Sequence, residues 1–538
     1  MKSFLQESNS IKKNLFWLIA LSFIIRTILA WILDLGSNEA YYWTYGKFPE
    51  LSHIDHPPMI GWIIQLFTVN LAYESELTLR IASIITGTIN TWIVFIIGRR
   101  IKNERTGFYA AILYTASFYC SIFTGTFINP DTPQSLFILL SIYFLHEGII
   151  IKHEACNETR TLCRQALLLS GIFLGLAMLS KYSSFLIWAG AFVYIFSSNR
   201  KLLKEPFLYL AVFITSLFLL PVLLWNIDSN FISFEFQSSR LPLNINNFNI
   251  VQFIKSTGII IIYNNPVSII LFVFAISRFR KEKFMTESQF KLLLSLSLPY
   301  LLFFTAVSLF SEVKSNWSAP GFFPLMFIAA AFLENNKITD SGKPKIIPSP
   351  LSNSLLFLLL AMSLLFTHYF TGLLVPDYKT DKTERIGNRD FTLDYYGWRT
   401  LSKEFRKIRE RDVQDKTMSE NSFILASDWA NAAHSDFYLA SPNNMVVKTI
   451  GRIEDTRKYA WITGEHGTFK YGENAYYIES SRDYPNAVNL AGHYFSEHKK
   501  IKSIYIKKLG KPVLRFDIYR LKNLNRIPDR ELSSFTKY

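Results

Sequence analysis

Residues 15–33 read LFWLIALSFIIRTILAWIL, an apolar run in which Arg26 is the only charged residue. A run of this length predicts an α-helix that crosses a hydrocarbon core about 30 Å thick. The residues before it are polar and include Lys12 and Lys13. A cleaved secretory signal would have a shorter apolar core and a small-residue cleavage site, so we predict a retained membrane helix.

Comparable apolar runs recur as far as Thr371 and predict about eleven membrane helices. The predicted segments are 14–34, 78–98, 106–125, 132–150, 165–180, 183–198, 206–226, 251–277, 289–310, 317–334 and 351–371. Lys181 separates two of them, and one kinked helix over 165–198 is the alternative. Half of the residues are apolar and only 18% are charged, against about a quarter in soluble domains. The fold class is therefore an α-helical polytopic membrane protein.

Residues 372–538 lack such runs and predict a soluble domain. FILASDW at 423–429 predicts a short strand that runs into a loop, and NAAHSDFYLA at 431–440 predicts a helix or the edge of one. KSIYIKK at 502–508 and LRFDIYRL at 514–521 alternate in polarity, as strands do. We therefore predict two domains, a membrane domain at 1–371 and a C-terminal α/β domain at 372–538.

The net charge of +15 is concentrated in alternate loops between the apolar runs. The basic loops carry Lys12, Lys13, Arg99, Arg100, Lys102, Arg105, Lys152, Arg160, Arg164, Arg200, Lys201, Lys204, Arg278, Arg280, Lys281, Lys283, Lys337, Lys343 and Lys345. Positive loops stay in the cytoplasm, so the N-terminus is predicted to be cytoplasmic and the C-terminal domain to lie outside. This pattern indicates membrane orientation and argues against a nucleic-acid partner.

The loops on the predicted outer side hold most of the chemistry. The first reads GSNEAYYWTYGKFPELSHIDHPPMIGW at 36–62, with Glu39, Glu50 and Asp55 among several aromatic residues. Carboxylates at such a place can act as a general base or bind a metal ion, and Tyr42 and Trp43 could stack on a sugar. An ordinary interfacial loop with an aromatic belt is the alternative.

The other outer loops add Asp131 and a small number of cations, namely Lys181, Arg240 and Lys314. Isolated cations on a face with few positive charges are candidates for binding a lipid-linked phosphate, with snorkelling to lipid headgroups as the alternative. Arg26, inside the first helix, is either functional or part of a structural ion pair.

Several of these stretches resemble one family. They are Glu39-Ala40-Tyr41-Tyr42-Trp43, Asp55-His56-Pro57-Pro58-Met59, Trp62, Asn129-Pro130-Asp131-Thr132-Pro133, Gly175-Leu176-Ala177-Met178-Leu179-Ser180-Lys181-Tyr182, Trp225-Asn226, Phe234, Gln237, Arg240 and Asn316-Trp317-Ser318-Ala319-Pro320. They resemble bacterial members of the protein-mannosyltransferase and aminoarabinose-transferase superfamily. These are membrane glycosyltransferases with the GT-C fold that belong to glycosyltransferase family 39 or are close to it. Tyr396-Gly397-Trp398 and Gly451-Arg452 resemble family positions more weakly.

The resemblance implies a GT-C fold, a polyprenyl-phosphate-linked sugar as donor, and inverting transfer on the outer side of the inner membrane. It implies catalytic carboxylates in the first outer loop, here Asp55 and Glu39. Many members have Asp-Glu where this chain has Asn38-Glu39, and an amide cannot act as a base. Lys181, Arg240 and Lys314 are the expected phosphate ligands. Asn38, Tyr42, Trp43, His56, Asp131 and Trp317 are the expected substrate-positioning residues.

The expected partners are the lipid-linked donor and a membrane lipid, envelope glycan or protein acceptor, with the enzyme acting as a monomer. The sequence indicates no required cofactor. Asp55 and His56 could contribute to a divalent metal site, but two ligands are too few to define one. Two other functions remain open. One is a lipid-linked sugar flippase, favoured by Arg26, and the other is a non-catalytic assembly protein, favoured by Asn38.

Overall fold

The computed structural model describes residues 2–150, 157–239, 248–336, 347–375, 386–387, 390–482 and 487–528. The chain folds into two compact units. The membrane unit comprises Met1–Ala30 and Glu50–Ala361, and the C-terminal unit comprises Trp31–Pro49 and Met362–Tyr538. The chain thus passes between units three times. The sequence-based division at residue 371 stays a prediction.

Most helices of the protein up to residue 371 overlap the predicted apolar runs, but the helices at 37–47, 59–67 and 232–239 lie outside them. The helices are α1 (Lys2–Ile32), α2 (Ser37–Lys47), α3 (Met59–Phe67), α4 (Glu76–Ile101), α5 (Glu104–Ala116), α6 (Asp131–Ile150), α7 (Asn157–Ser180), α8 (Phe185–Ser198), α9 (Pro206–Leu217), α10 (Leu220–Asp228), α11 (Ile232–Ser239), α12 (Ile250–Tyr263), α13 (Pro266–Arg278), α14 (Glu287–Val307), α15 (Phe323–Asn335) and α16 (Ser349–Thr371). The predicted break at Lys181 lies between α7 and α8.

The count of eleven spanning helices is not confirmed. Among the described residues, seven helices are long and apolar enough to cross a membrane, or eight if the bent pair α12–α13 is one span. Two further apolar segments, Tyr182–Ser198 and Ala319–Asn335, are shorter than that. The protein is a multi-pass membrane protein, but several of its predicted spans are short or broken helices.

The bend between α12 and α13 corrects the single helix predicted at 251–277. The two helices meet at 96° around Asn264 and Asn265. Pro266 lacks an N–H group and disfavours helical backbone in the residue before it, so a continuous helix cannot form. Asn265 instead adopts a φ of 72° and caps α13, while its Nδ2 donates to the carbonyl oxygens of Ala116 and Ser354.

Close helix packing in the membrane unit depends on small residues. A Cβ added to Gly98 of α4 would lie 2.7 Å from the backbone of Gly107 in α5, and one added to Gly107 would collide with the Phe95 carbonyl oxygen. The two glycines therefore let the backbones of α4 and α5 touch, as small residues do in membrane helix pairs.

Loops that the charge pattern assigns to the cytoplasm contact one another. Lys102 pairs with Glu334 at 2.7 Å, Arg100 with Glu147 at 2.9 Å, and Arg164 with Glu205 at 2.9 Å. Each pair joins the ends of different helices. The predicted cytoplasmic loops thus gather at one end of the helices.

The C-terminal unit is an α/β fold built on a mixed five-stranded sheet. Its strands are β1 (Phe423–Ala426), β2 (Val447–Thr449), β3 (Ala475–Ser480), β4 (Phe495–Lys508) and β5 (Lys511–Leu524), in the order β2-β1-β3-β5-β4. The pairings β2–β1 and β1–β3 are parallel, and the pairings β3–β5 and β5–β4 are antiparallel. Its remaining helices are α17 (Trp398–Gln414), α18 (Trp429–Ser435), α19 (Ile453–Thr456), α20 (Tyr459–Glu465) and α21 (Ala487–Gly492).

The predicted strands and helix of this unit are confirmed. Phe423, Leu425 and Tyr477 lie in its buried apolar cluster. Helix α2, from the first outer loop, also belongs to this unit: Trp43 packs edge-to-face on Phe437 at 5.3 Å, and Lys47 pairs with Asp436 at 3.0 Å. The loop that looked continuous in sequence therefore contributes to both units.

Candidate functional site

The second half of the first outer loop belongs to the membrane unit and is held by α10 and α11. Asp55 is only 1% exposed, and its backbone oxygen accepts a hydrogen bond from Gln237 Nε2 at 2.6 Å. Glu50 accepts from Trp225 Nε1 at 2.6 Å. Pro57 and Pro58 follow His56 and restrict the backbone after Asp55. Asp55 is therefore held in one position.

A second cluster is centred on Asp131, the first residue of α6. Lys181 Nζ donates to both carboxylate oxygens of Asp131, at 2.9 and 3.1 Å. Asn316 Nδ2 donates to the same carboxylate at 3.0 Å, and the Tyr119 hydroxyl donates at 3.1 Å. Asp131 and Lys181 are both buried. Three donors thus satisfy the hydrogen-bond acceptors of this buried carboxylate.

The two clusters are neighbours. Met59, which starts the helix after the Asp55 loop, packs with Leu179 and Val222 in one buried apolar cluster. Tyr182 packs against that cluster and lies within electrostatic range of Asp55. Because Tyr182 follows Lys181 directly, the segment that carries Lys181 also approaches Asp55. The structure thus brings together predicted site residues from three separate outer loops.

Glu39 lies in the C-terminal unit and has a structural contact. It is the third residue of α2, is 3% exposed, and its Oε2 accepts from the Gly36 backbone N–H at 3.0 Å. This is a capping interaction that stabilises the start of a helix. Its catalytic role stays a prediction.

The other predicted residues of α2 differ in exposure. Asn38 is exposed, Tyr42 is 7% exposed, and Trp43 is fully buried with Lys47 Nζ 4.5 Å from its ring centroid. The face of Trp43 is thus already in contact with protein. The roles of these three residues in positioning substrate stay predictions.

Of the remaining predicted residues, His56, Lys314 and Trp317 lie in the membrane unit. His56 is half-buried, and its carbonyl oxygen accepts from the His53 N–H at 3.2 Å. Lys314 is exposed, and Trp317 is half-buried with its ring 5.8 Å from that of Phe304. Arg240 lies outside the described residues. Their phosphate-binding and positioning roles stay predictions.

Arg26 is buried in the membrane unit, with 1% exposure. Its Nε donates to the Ser121 carbonyl oxygen at 3.2 Å, and within the described residues Nη1 and Nη2 have no hydrogen-bond partner. Gly87 and Gly125 make room for it, since a Cβ on either would lie 2.9 Å from the guanidinium group. Among the described residues, Arg26 forms no ion pair with a buried carboxylate, which was one of the two alternatives predicted from the sequence.

No group of three or more His, Cys, Asp and Glu side chains suited to a metal ion occurs in the described part of the chain. Asp55 and His56 therefore lack a third ligand of these types there.

Sequence reasoning missed the partners that fix the site. In the sequence, Trp225, Gln237 and Asn316 are noted only because they resemble family positions. The sequence does not indicate which residues they contact. Their contacts with Glu50, Asp55 and Asp131 span 175, 182 and 185 residues of sequence, so no local pattern reports them. Tyr119 gives no signal, because a tyrosine in an apolar run is ordinary.

The sequence is similar to those of known glycosyltransferases. Residues 55–225 match the family model for dolichyl-phosphate-mannose-protein mannosyltransferase. The chain is 20% identical to the lipid A galacturonosyltransferase RgtD of Rhizobium johnstonii over an alignment of 295 residues. This alignment covers 54% of this chain and 58% of RgtD, so the chain matches little more than half of that relative.

The fold is also found in solved structures. The crystal structure of ArnT from Cupriavidus metallidurans bound to undecaprenyl phosphate aligns with a TM-score of 0.62 and 12% identity, covering 94% of this chain and 97% of that one. Its apo form gives a TM-score of 0.61 with 12% identity, covering 95% and 98%. At such low identity the likeness establishes the fold over nearly the whole chain. The chain therefore has an ArnT-like GT-C fold, and its residues 55–225 are similar to the mannosyltransferase family.

Proposed function

We propose that this protein is an inverting membrane glycosyltransferase that moves a sugar from a polyprenyl-phosphate donor to a cell-envelope acceptor. The observation that carries the proposal is the position of Asp55, a buried carboxylate fixed beside the Asp131–Lys181 pair. An anionic base and a cation close together suit a reaction in which a proton leaves the acceptor and negative charge develops on a phosphate.

The reaction is a single in-line displacement. The acceptor oxygen forms a bond to the anomeric carbon of the sugar, and the bond from that carbon to the phosphate oxygen breaks. Asp55 accepts the acceptor proton, and Lys181, with Lys314 and Arg240, stabilises the charge on the departing polyprenyl phosphate. If the acceptor is itself a phosphate anion, no proton is transferred and Asp55 orients the sugar.

The nature of both substrates is supported by similar proteins. RgtD is named for transfer to lipid A, and the Cupriavidus ArnT was crystallised with undecaprenyl phosphate. We therefore propose undecaprenyl phosphate or a related polyprenyl phosphate as carrier, and a lipid A-type glycolipid as acceptor. The sugar is a hexose or pentose.

The proposed location is the inner membrane, with a cytoplasmic N-terminus and the C-terminal unit in the periplasm. The distribution of positive charges among the loops supports this orientation. Residues of the predicted outer loops, Asp55, Asp131, Lys181 and Asn316, also lie together at one site.

Asp55→Asn tests the proposal in membranes supplied with lipid-linked donor and lipid A. We expect sugar transfer to fall about 100-fold or more, as when a general base is lost. Asp228→Asn is the matched control, since Asp228 is exposed in another predicted outer loop, and it should retain activity. Wild-type turnover in Asp55→Asn would refute the role of Asp55.

The glycolipids of a deletion strain distinguish the enzyme from the two rival functions. An enzyme predicts accumulated donor and an acceptor that lacks one sugar. A flippase, which the buried Arg26 favours, predicts donor trapped on the inner side. A non-catalytic assembly protein, which Asn38 favours, predicts unchanged glycolipids.

A further inference from the structure

The hairpin that joins β4 and β5 ends in a tight turn that contains an unusual residue. Lys508 pairs with Lys511, so Leu509 and Gly510 form the turn, and their φ angles are 47° and 81°. Two-residue turns with a positive φ at both positions favour Asn-Gly, because left-handed backbone is costly for most other residues. Leucine is therefore a poor choice for this turn on conformational grounds.

Leu509 is also poorly suited to contact with water. It is 79% exposed, more than any other large apolar residue among the described residues. Tyr505, on the same strand, is 49% exposed, and Pro512 is exposed beyond the turn. An asparagine at position 509 would suit both the backbone and the solvent. A strained and exposed leucine instead indicates that the tip of this hairpin meets an apolar environment.

The tip of the hairpin lies beside the end of α16. Lys508 is buried, and its Nζ lies 3.4 Å from the ring centroid of Tyr396 and 5.0 Å from that of Tyr369, in the last turn of α16. Gly372 directly follows this helix, and a Cβ added to it would lie 3.3 Å from the Val513 side chain. These contacts fix the tip next to the point where α16 ends.

The end of α16 lies at a membrane surface. The helix has 23 residues and is long and apolar enough to cross a membrane. Its length is about 34 Å, against about 30 Å for a hydrocarbon core, so its last turn reaches the interface. The apolar surface continues past the helix, because Leu373 and Leu374 are 63% and 47% exposed. The hairpin tip is therefore at the depth of the lipid headgroups.

The sequence around the tip is strongly basic. Residues 498–516 include seven Lys and Arg residues and no Asp or Glu. Lys507 and Lys511, on either side of the turn, are both exposed. A lysine at the surface of an anionic membrane strengthens binding about fivefold. An apolar tip between two lysines thus complements a bilayer, with its apolar interior and its phosphate surface.

We propose that the tip of the β4–β5 hairpin docks on the lipid bilayer around α16. Leu509 inserts at the boundary of the acyl chains, and Lys507 and Lys511 contact the lipid phosphates. The partner is the phospholipid surface itself, not the sugar donor or the acceptor. The contact attaches the C-terminal unit to the membrane at a second point besides α16. It requires no sugar transfer and so does not depend on the proposed function.

Fluorescence quenching by labelled lipid tests the docking on the full chain in phospholipid nanodiscs. Cys120, Cys156 and Cys163 are replaced by serine, and bimane is attached at Pro512→Cys, an exposed position that leaves Leu509 and both lysines in place. The nanodiscs contain either unlabelled phospholipid or phospholipid with a nitroxide near the headgroup. We expect the nitroxide to quench this reporter, and to quench it more when phosphatidylglycerol is added to phosphatidylcholine.

Tyr471→Cys carries the matched control reporter. Tyr471 is 69% exposed and belongs to the same unit. The N–H group of its neighbour Gly472 donates to the Leu524 carbonyl oxygen at 2.9 Å, at the far end of β5. That end is about 40 Å along the strand from the tip. The lipid nitroxide should therefore quench this reporter much less.

Leu509→Asn separates docking from folding. Asparagine suits the turn, so thermal unfolding should show a variant at least as stable as the wild type. The ratio of docked to free tips should nevertheless fall about tenfold or more, because a buried leucine side chain is lost. Quenching of the Pro512→Cys reporter should fall with it. Replacing Lys507 and Lys511 with glutamine should instead remove the effect of phosphatidylglycerol.

The proposal is overturned if the nitroxide quenches the Pro512→Cys reporter no more than the Tyr471→Cys reporter. Blue-shifted emission without quenching would mean that a second copy of the chain or another protein covers the tip, which also overturns it. Undiminished quenching in the folded Leu509→Asn variant would refute the insertion of Leu509. Equal quenching with and without phosphatidylglycerol would refute the contact of the two lysines with lipid phosphates.

Discussion

At the scale of single residues, the Asp131–Lys181 pair combines a structural and a proposed functional role. Both side chains are buried, and Lys181 contacts both carboxylate oxygens. Removing one member of such a pair leaves a buried charge without compensation, which is more costly than removing both. Stability and activity can therefore be separated at this site.

We predict that Asp131→Asn and Lys181→Met each lower the free energy of unfolding by about 3–5 kcal/mol. The double variant should recover most of this loss but should still lack transfer activity, because it lacks the cation for the leaving phosphate. Thermal unfolding in detergent and the transfer assay measure the two effects. Lys291→Met, which breaks the exposed pair with Glu287, should cost less than about 1 kcal/mol.

Full activity in that double variant would show that the Lys181 charge is not needed. Independent, additive losses from the two single changes would show that the ion pair contributes no coupling to stability.

His434 predicts an acid-sensitive C-terminal unit. Burial lowers its pKa to about 4, against 6.5 in an exposed histidine, and its Nε2 lies 2.9 Å from the Leu35 carbonyl oxygen. The unfolded chain then binds a proton that the folded chain does not. The free energy of unfolding should fall as the pH decreases from about 6.5 to about 4, by about 3 kcal/mol at most.

His434→Gln keeps a hydrogen-bond donor but does not titrate, so it should lose this dependence. Thermal midpoints of the full chain at several pH values between about 7.5 and about 4 measure it, with exposed His498→Gln as the control. Burial alone would raise the pKa of Asp390, but hydrogen bonds from Tyr396 and Thr392 lower it below its usual value. Protonation of Asp390 therefore reduces the free energy of unfolding only at a lower pH than that of His434. An unchanged slope in His434→Gln would contradict the prediction.

At the scale of secondary structure, the helix positions follow from the apolar runs because hydrocarbon fixes their length and composition. The breaks are less visible. The sequence Asn264-Asn265-Pro266 contains a strong helix-breaking signal, yet the surrounding hydrophobicity predicts one long helix. The bend depends on Asn265, whose side-chain amide donates to the carbonyl oxygens of Ala116 and Ser354 in distant elements.

The contact between α4 and α5 gives a test at this scale. We predict that Gly107→Ala forces the helices apart and costs about 1–3 kcal/mol of stability. Gly258→Ala, in exposed α12 with no atom near the added Cβ, should instead stabilise by about 0.5–1 kcal/mol. Thermal unfolding of both variants measures the difference. Equal effects would mean that close packing at Gly107 is unimportant.

At the scale of the whole molecule, the loop charges predict which side of the membrane each loop occupies. Lys281 and Glu312 are both solvent-accessible and lie on opposite predicted sides. In a background with Cys120, Cys156 and Cys163 replaced by serine, a membrane-impermeant maleimide should label Glu312→Cys but not Lys281→Cys in intact cells. After lysis both should be labelled. The reverse pattern would invert the proposed orientation.

The membrane class and the helical and strand segments could be predicted from the sequence, because they depend on local composition. The convergence of Asp55, Asp131 and Lys181 could be predicted only as a shared face. Their partners could not be predicted, because they come from chain segments far away. Nor could the membership of α2 in the C-terminal unit, since its contact between Trp43 and Phe437 leaves no local pattern.

That membership of α2 has a consequence for synthesis. Residues 31–49 leave the ribosome early, but their packing partners in the C-terminal unit are made only after the whole membrane unit. During this interval, Trp43 and the other buried aromatic residues of α2 lack their final contacts and are open to chaperones and proteases. Pulse-labelled ribosome-bound chains should therefore be cleaved within 31–49 until the last strands emerge, and then become resistant.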